Sequence, residues 1–188
     1  MTLSIGLNYN SKGLASQRFG PLDAKGNILN QTVWDSSLTY ALQSATKADL
    51  TDNLFGIFPG VEVTGTSTSS RCGIDQDINW LAANSYDVTV LYKKGTTDAF
   101  RAIIFQNTPR HNISCVINSD NSNNTFYDAG AEPDGTIAFV SDVEIDAVSG
   151  ARLLNYTFTP WADFTQPFQA GPNGTGTAIV YGAVVKIV

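Results

Sequence analysis

From Ile137 to Ala147, apolar side chains at Ile137, Phe139, Val143 and Ile145 alternate with the acids Asp142, Glu144 and Asp146. That is the period-two spacing of a strand with one buried face and one wet face. It restricts the chain to folds in which strands carry the core. The next segment, Arg152 to Phe158, places Leu154, Tyr156 and Phe158 on one side after a turn containing Ser149-Gly150, so the two stretches are expected to form a hairpin. Tyr86 to Tyr92 and Ala99 to Phe105 are β-branched and aromatic runs flanking Lys93 to Asp98, where Gly95 and the threonines suit a reversal. A second hairpin is expected there. The run Thr177 to Val188 is apolar on both faces, with Ile179, Tyr181, Val185 and Ile187 opposing Val180, Val184 and Val188. Such a run reads as a central or doubly covered strand.

Leu54 to Thr64 is an apolar run broken by Gly56, Pro59 and Gly60. It reads as one bent or bulged edge strand, because proline removes a ladder donor and glycine tolerates a bend. Helical signal is confined to Ser37 to Asp52, where Leu38, Ala41, Leu42, Ala45 and Ala48 recur and Thr46-Lys47-Ala48-Asp49 resembles a capping box. One or two helical turns are expected. The polar stretches Gly65 to Ser70, Asn118 to Asn124 and Ala170 to Gly176 read as exposed loops, since strand signal resumes soon after each. A chain of 188 residues fits one core, and no repeat or linker divides it. The expected fold is a single all-β domain over residues 1–188. Its architecture is an antiparallel sandwich, barrel or jelly roll with at most one or two short helices.

Charged residues make up only 15% of the chain, against roughly 25% in an average soluble protein, which suits a surface buried against partners or a plain compact sandwich. The formal charge of -6 argues against sequence-independent binding to phosphate backbones, so no nucleic-acid partner is expected. Lys93-Lys94, the best basic pair, reads as a solvated hairpin end. No apolar run approaches the roughly 20 residues that span a bilayer, and no membrane partner is expected. Met1 to Leu7 has neither a basic n-region nor a sustained apolar h-region, so export by the usual route is not indicated. The Asn-x-Thr/Ser triplets at Asn30, Asn112, Asn123, Asn155 and Asn173 read as loop composition. Cys72 and Cys115 lie too far apart for a metal knuckle or redox motif, and they form either one disulfide or two buried thiols.

The catalytic inventory is thin. The single histidine, His111, stands between Arg110 and Asn112 with no Ser or Cys motif beside it. Ser44-Ala45-Thr46-Lys47 matches S-x-x-K without the companion motifs that would give it meaning. Asp75-Gln76-Asp77-Ile78-Asn79 opens like a calcium loop, but Trp80 takes the place of the required glycine and Tyr86 that of the bidentate Glu. Those two residues exclude an EF-hand. A looser oxygen cage using Asp75, Asp77 or Asp120 needs no fixed spacing, and no pair of carboxylates is singled out for glycoside hydrolysis. Trp34, Trp80 and Trp161 read as core or interface anchors ahead of a sugar platform. No enzyme activity and no cofactor are expected.

Three features recur in one order: Gly56, Phe58, Gly60, Val63 and Thr64 in the apolar run, then Trp80, then a strand ending Phe105-Gln106. This order resembles the head decoration, or capsid cement, proteins of tailed bacteriophages. Their "G-x-F-x-G-x-x-[Y/F/V]-T" run, tryptophan and "D-x-x-x-x-F-x-x-Q" strand follow the same sequence. The likeness covers Leu54 to Gln106, and Thr97-Asp98-Ala99 departs from the Asp-Pro pair more usual in the family. The resemblance implies a β-rich, non-catalytic virion protein, often a homo-oligomer, that binds the major capsid protein on the capsid exterior after assembly in the host cytoplasm. Aromatic residues flanking the strands, Phe55, Phe58, Trp80 and Trp161, are then expected to include interface anchors. The rival readings are a phage tail-tube or tail-associated protein, which would stack into rings, and a carbohydrate-binding β-sandwich module.

Overall fold

The computed structural model describes residues 18–19, 22–23, 25–29, 34, 45–50, 53–55, 58–67, 73–106, 111–127 and 135–188. Their strands are β1 (Arg18–Phe19), β2 (Leu22–Asp23), β3 (Ala45–Asp49), β4 (Val61–Gly65), β5 (Ile74–Trp80), β6 (Tyr86–Lys94) and β7 (Phe100–Gln106). They continue with β8 (His111–Ile117), β9 (Asn123–Tyr127), β10 (Gly135–Asp146), β11 (Ala151–Pro160), β12 (Phe164–Pro172) and β13 (Gly176–Ile187). Besides the short β1–β2 ribbon there are two sheets, a six-stranded one in the order β10-β11-β6-β13-β4-β3 and a five-stranded one in the order β5-β12-β7-β8-β9. Every pairing is antiparallel. The chain is an all-β sandwich, as the alternating patterns require.

The core lies between the sheets. Val88, Val90, Tyr156, Phe158, Val180 and Val185 from the larger sheet meet Ile74, Ile78, Phe100, Ala102 and Phe168 from the smaller. Burying each large apolar side chain contributes roughly 1.5–3 kcal/mol. Strand β13 runs through the middle of its sheet, paired with β6 on one side and β4 on the other, which accounts for its apolar residues on both faces. A bulge between Val180 and Gly182 changes its alternation, so Val180, Ala183 and Val185 face inward while Ile179, Tyr181 and Val184 pack on the outer face. The faces read from a strict period of two were therefore out of step beyond the bulge.

Strand β10 is interrupted in the same way. Its register shifts between Phe139 and Ser141. Ile137 and Phe139 pack on the core, Ile145 packs on the outer face, and Val143 is exposed. The hairpin of β10 with β11 forms as expected. That of Tyr86 to Tyr92 with Ala99 to Phe105 does not, because β6 joins the six-stranded sheet and β7 the five-stranded one. The connection from Lys93 to Asp98 is an arch between sheets. It is tied down by Gly95 N–H and Thr97 N–H donating to Thr177 O at 3.0 and 3.2 Å, and the Tyr92 ring stacks on Phe100 with centroids 3.7 Å apart. A Cβ on Gly95 would stand 2.7 Å from Thr177 O, so only glycine fits where the arch touches β13.

Two further expectations change. Thr46-Lys47-Ala48-Asp49 is not a helix start but part of β3, where the sheet edge offers backbone partners on β4 that outweigh a weak capping signal. The remainder of the expected helix, residues 37–44 and 51–52, lies outside the described residues, and Leu50 between them is not helical. The run Leu54 to Thr64 is not one bent strand: only Val61–Gly65 is β4, while Leu54 and Phe58 form an isolated bridge with hydrogen bonds of 2.8 and 3.0 Å. Gly60, at φ +67°, makes the turn between these parts, and a Cβ there would lie 2.7 Å from the Tyr181 ring. The stretch expected as a loop from Ala170 is strand through Pro172.

Segments outside the ladder cover the outer face of the larger sheet. Leu22, Leu54 and Phe58 pack with Leu91, Ile179, Tyr181 and Val184. Beyond Val180, β13 loses β4 as a neighbour, and its freed edge accepts Ile28 N–H at Val185 O (2.9 Å) and Trp34 N–H at Tyr181 O (3.1 Å). Val185 N–H donates to Asn27 Oδ1 at 2.8 Å, so an amide side chain takes the place of a strand partner. Trp34 then plugs the core edge-on against Phe168.

Candidate functional site

The antiparallel strands give the sandwich two ends. One gathers the β5–β6 turn at 81–85, the β11–β12 turn at 161–163 and the last residues of β13. Strand pairing aligns these elements, because Trp80 pairs with Phe164, and Tyr86 pairs with both Phe158 and Ile187. Hydrogen bonds then join the turns. Ala82 N–H donates to Asp163 Oδ1 at 2.8 Å, Val188 N–H to Ser85 O at 2.9 Å, and the Ser85 and Thr159 hydroxyls lie 2.9 Å apart. Leu81, Trp161, Ile187 and Val188 are each at least 43% exposed, so this end carries four of the eight exposed large apolar side chains among the described residues. Exposed apolar side chains grouped at one end of a fold mark a binding surface more often than singly scattered ones do.

Beneath the surface lies a stiff aromatic support. The ring of the wholly buried Trp80 meets Tyr86 at 5.0 Å and Phe158 at 5.2 Å, both edge-to-face, and Phe158 meets Phe164 at 6.3 Å. Such pairs add about 0.5–1.5 kcal/mol each beyond their area. The Tyr86 hydroxyl accepts Leu81 N–H at 2.7 Å, so the core fixes the first residue of the exposed turn. Trp161 keeps its ring out while its indole N–H donates to Thr136 Oγ1 at 3.3 Å.

The four aromatics singled out by sequence separate into two pairs. Trp80 and Phe58 are completely buried, the first supporting the apolar end and the second inside the outer-face cluster, so both are accounted for by packing. Trp161 and Phe55 are 57% and 45% exposed on different parts of the surface. Leu81, Ile187, Val188 and Asp163 were not singled out. A leucine directly after a strand-ending tryptophan was the one signal available for Leu81.

The most organised titratable cluster among the described residues is structural. The buried Asp142 carboxylate accepts the Tyr92 hydroxyl at 3.0 Å and Arg152 Nε at 2.8 Å, and Arg152 Nη2 lies 2.7 Å from the same Oδ2. Burial, then the Asp142 charge, pushes the Tyr92 hydroxyl far above its ordinary range. Among the described residues no three His, Cys, Asp or Glu side chains converge as metal ligands. His111 opens β8, and Ser44 and Cys72 lie outside the described residues. Cys115 is a free thiol in the core, and burial pushes its pKa up to about 12.

No family model matches the chain, and a search of the curated proteins finds no match either. The likeness to decoration proteins therefore rests on the motif residues alone.

Proposed function

We propose that this protein is a non-catalytic virion component that decorates the assembled capsid shell and docks through the apolar end of its sandwich. The observation that carries the reading is the joining of Leu81, Trp161, Ile187 and Val188 on one hydrogen-bonded end above the Trp80 cluster. The ordered residues Gly60, Val63, Trp80 and Gln106 add the resemblance to cement proteins. A protein that binds only the assembled lattice lowers the free energy of that state relative to free subunits. Copies linked through a homo-oligomer add modest contacts by multivalency. Such a role requires a rigid surface and no reacting group.

The direct test is sedimentation of the purified chain with empty capsid shells of the same phage, with purified tails and with buffer alone. Co-sedimentation with shells is the expected result. Sedimentation only with tails favours the tail-protein reading, and free protein at micromolar concentration contradicts decoration. The exposed Trp161 ring beside Asp163 also favours a carbohydrate-binding module, which predicts glycan-array binding that is lost in Trp161→Ala.

A further inference from the structure

The β12–β13 turn lies at the end of the sandwich opposite the apolar one and carries the dipeptide Asn173-Gly174. The backbone is anchored on both sides of it. Asn173 N–H donates to Ala99 O at 2.8 Å, a carbonyl that also accepts the Thr97 hydroxyl at 2.9 Å, and Thr177 N–H donates to Thr96 Oγ1 at 3.0 Å. Gly176, at φ +101°, lies so close to the arch that a Cβ there would stand 2.9 Å from Thr97 N. The dipeptide itself is left unengaged. The Asn173 side chain is half-buried and makes no hydrogen bond with any described residue, and neither does Gly174 N–H. Gly174, at φ +99°, has no heavy atom beyond its chain neighbours within 4 Å of the position a Cβ would take.

A carboxamide followed by glycine is open to attack by the next backbone nitrogen, because glycine has no side chain to shield that nitrogen or to limit the rotation that brings it to Cγ. The β8–β9 turn supplies the contrast. Asn118 and Asn121 each precede a serine, and both side chains are held, Asn118 Nδ2 donating to Ser122 Oγ at 2.9 Å and Asn121 Oδ1 accepting from Lys94 Nζ at 2.7 Å. We propose that Asn173-Gly174 is a self-modification site at which the folded protein converts its own asparagine to isoaspartate. Gly174 N bonds to Asn173 Cγ, the Cγ–Nδ2 bond breaks, and Nδ2 leaves as ammonia with the proton that Gly174 N carried. The product is a succinimide ring. Water then opens it at either carbonyl, giving aspartate where the new bond to Cγ breaks and isoaspartate where the original peptide bond breaks. Both products replace a neutral amide with a carboxylate, and water is the only co-reactant. In isoaspartate the main chain runs through Cβ, one carbon longer between the anchors at Ala99 O and Thr96 Oγ1, so the turn no longer matches the arch. The inference does not depend on what the apolar end binds.

The test is mass-spectrometric peptide mapping of the full chain incubated at mildly alkaline pH, both folded and in urea. In the folded protein Asn173 is expected to gain the mass difference between an amide and an acid several-fold faster than Asn118 or Asn121. Electron-transfer fragmentation is expected to find more isoaspartate than aspartate there. Asn173→Gln, whose longer side chain would have to close a less favourable six-membered ring, is expected to abolish the change at that position. Conversion in urea but not in the folded protein, an equal or faster rate at Asn118 or Asn121, aspartate without isoaspartate, or persistence of the change in Asn173→Gln would each overturn the proposal. In converted protein, amide exchange at Thr97 N–H, which bonds Thr177 O, is expected to accelerate while Val188 N–H keeps its rate. An unchanged rate at Thr97 would overturn the loosening of the arch.

Discussion

The two ends of the sandwich are built on opposite principles. At the apolar end, the turns are joined by backbone and hydroxyl bonds over an aromatic cluster, and hydrophobic side chains face water. At the far end, polar side chains are consumed locally. Lys94 Nζ donates to Asn118 O at 2.6 Å and to Asn121 Oδ1 at 2.7 Å, Asp120 Oδ1 accepts both Ser122 N–H and its hydroxyl, and Thr96 and Thr177 exchange bonds across the arch. Among the described residues of the turns at 95–99, 118–122 and 147–150, Val148 is the one exposed large apolar side chain. Hydrogen-bonded polar turns satisfy their own side chains and meet water readily, whereas an apolar end on a rigid base is suited to being covered.

The largest expected effect removes the base of the apolar end. Trp80→Ala should cost about 3–5 kcal/mol in urea unfolding, the usual penalty for emptying a buried aromatic site. A cost no larger than that of Asn118→Ala in the far-end turn would show that the aromatic cluster does not stiffen the apolar end. Next comes Trp161→Ala, expected to leave stability within about 0.5 kcal/mol while weakening shell binding by about 2 kcal/mol in a quantitative sedimentation assay. Equal losses of stability and binding would show that Trp161 belongs to the packing instead.

Gly95→Ala should destabilise by about 1–2 kcal/mol, because its Cβ would press on Thr177 O and force the arch away from β13. Differential scanning calorimetry checks it, and an unchanged Tm would mean that the arch adapts freely. The smallest effect is that of acid on the far end. The Ser122 hydroxyl and N–H hold the Asp120 carboxyl below its ordinary range, and those of Ser149 do the same for Asp146. A lowered folded-state pKa contributes stability that is fully present above the unfolded value and is lost as pH falls through the folded one. Amide exchange at Ser122 and Ser149, referred to the intrinsic rate, should therefore accelerate on acidification through the carboxylate range. Val188 N–H, bonded to a carbonyl, should not follow.

Much of this architecture was legible because it is local. Alternation located β10 and β11, Ser149-Gly150 located their turn, and the doubly apolar run of β13 placed it inside a sheet. What failed was non-local. The β6–β7 connection looked like a hairpin because its Gly and Thr composition suits any reversal, and only the docking of Thr177 makes it an arch. The bulges at Phe139/Ser141 and Val180/Gly182 left no composition signal, yet each moved the downstream residues to the other face. Phe55 and Phe58 sat three positions apart in one apolar run, and the Leu54–Phe58 bridge leaves the first exposed and the second buried. The apolar end was hidden for the same reason. Its members lie on three turns and strand ends whose proximity is set by register.

Docking through the apolar end is read out by hydrogen–deuterium exchange of shell-bound against free protein. Slowed exchange is expected at residues 81–85, 161–163 and 186–188 on binding, with residues 118–122 unchanged. Protection confined to 118–122, or none at 81–85 and 161–163 in protein that has co-sedimented with shells, would contradict it.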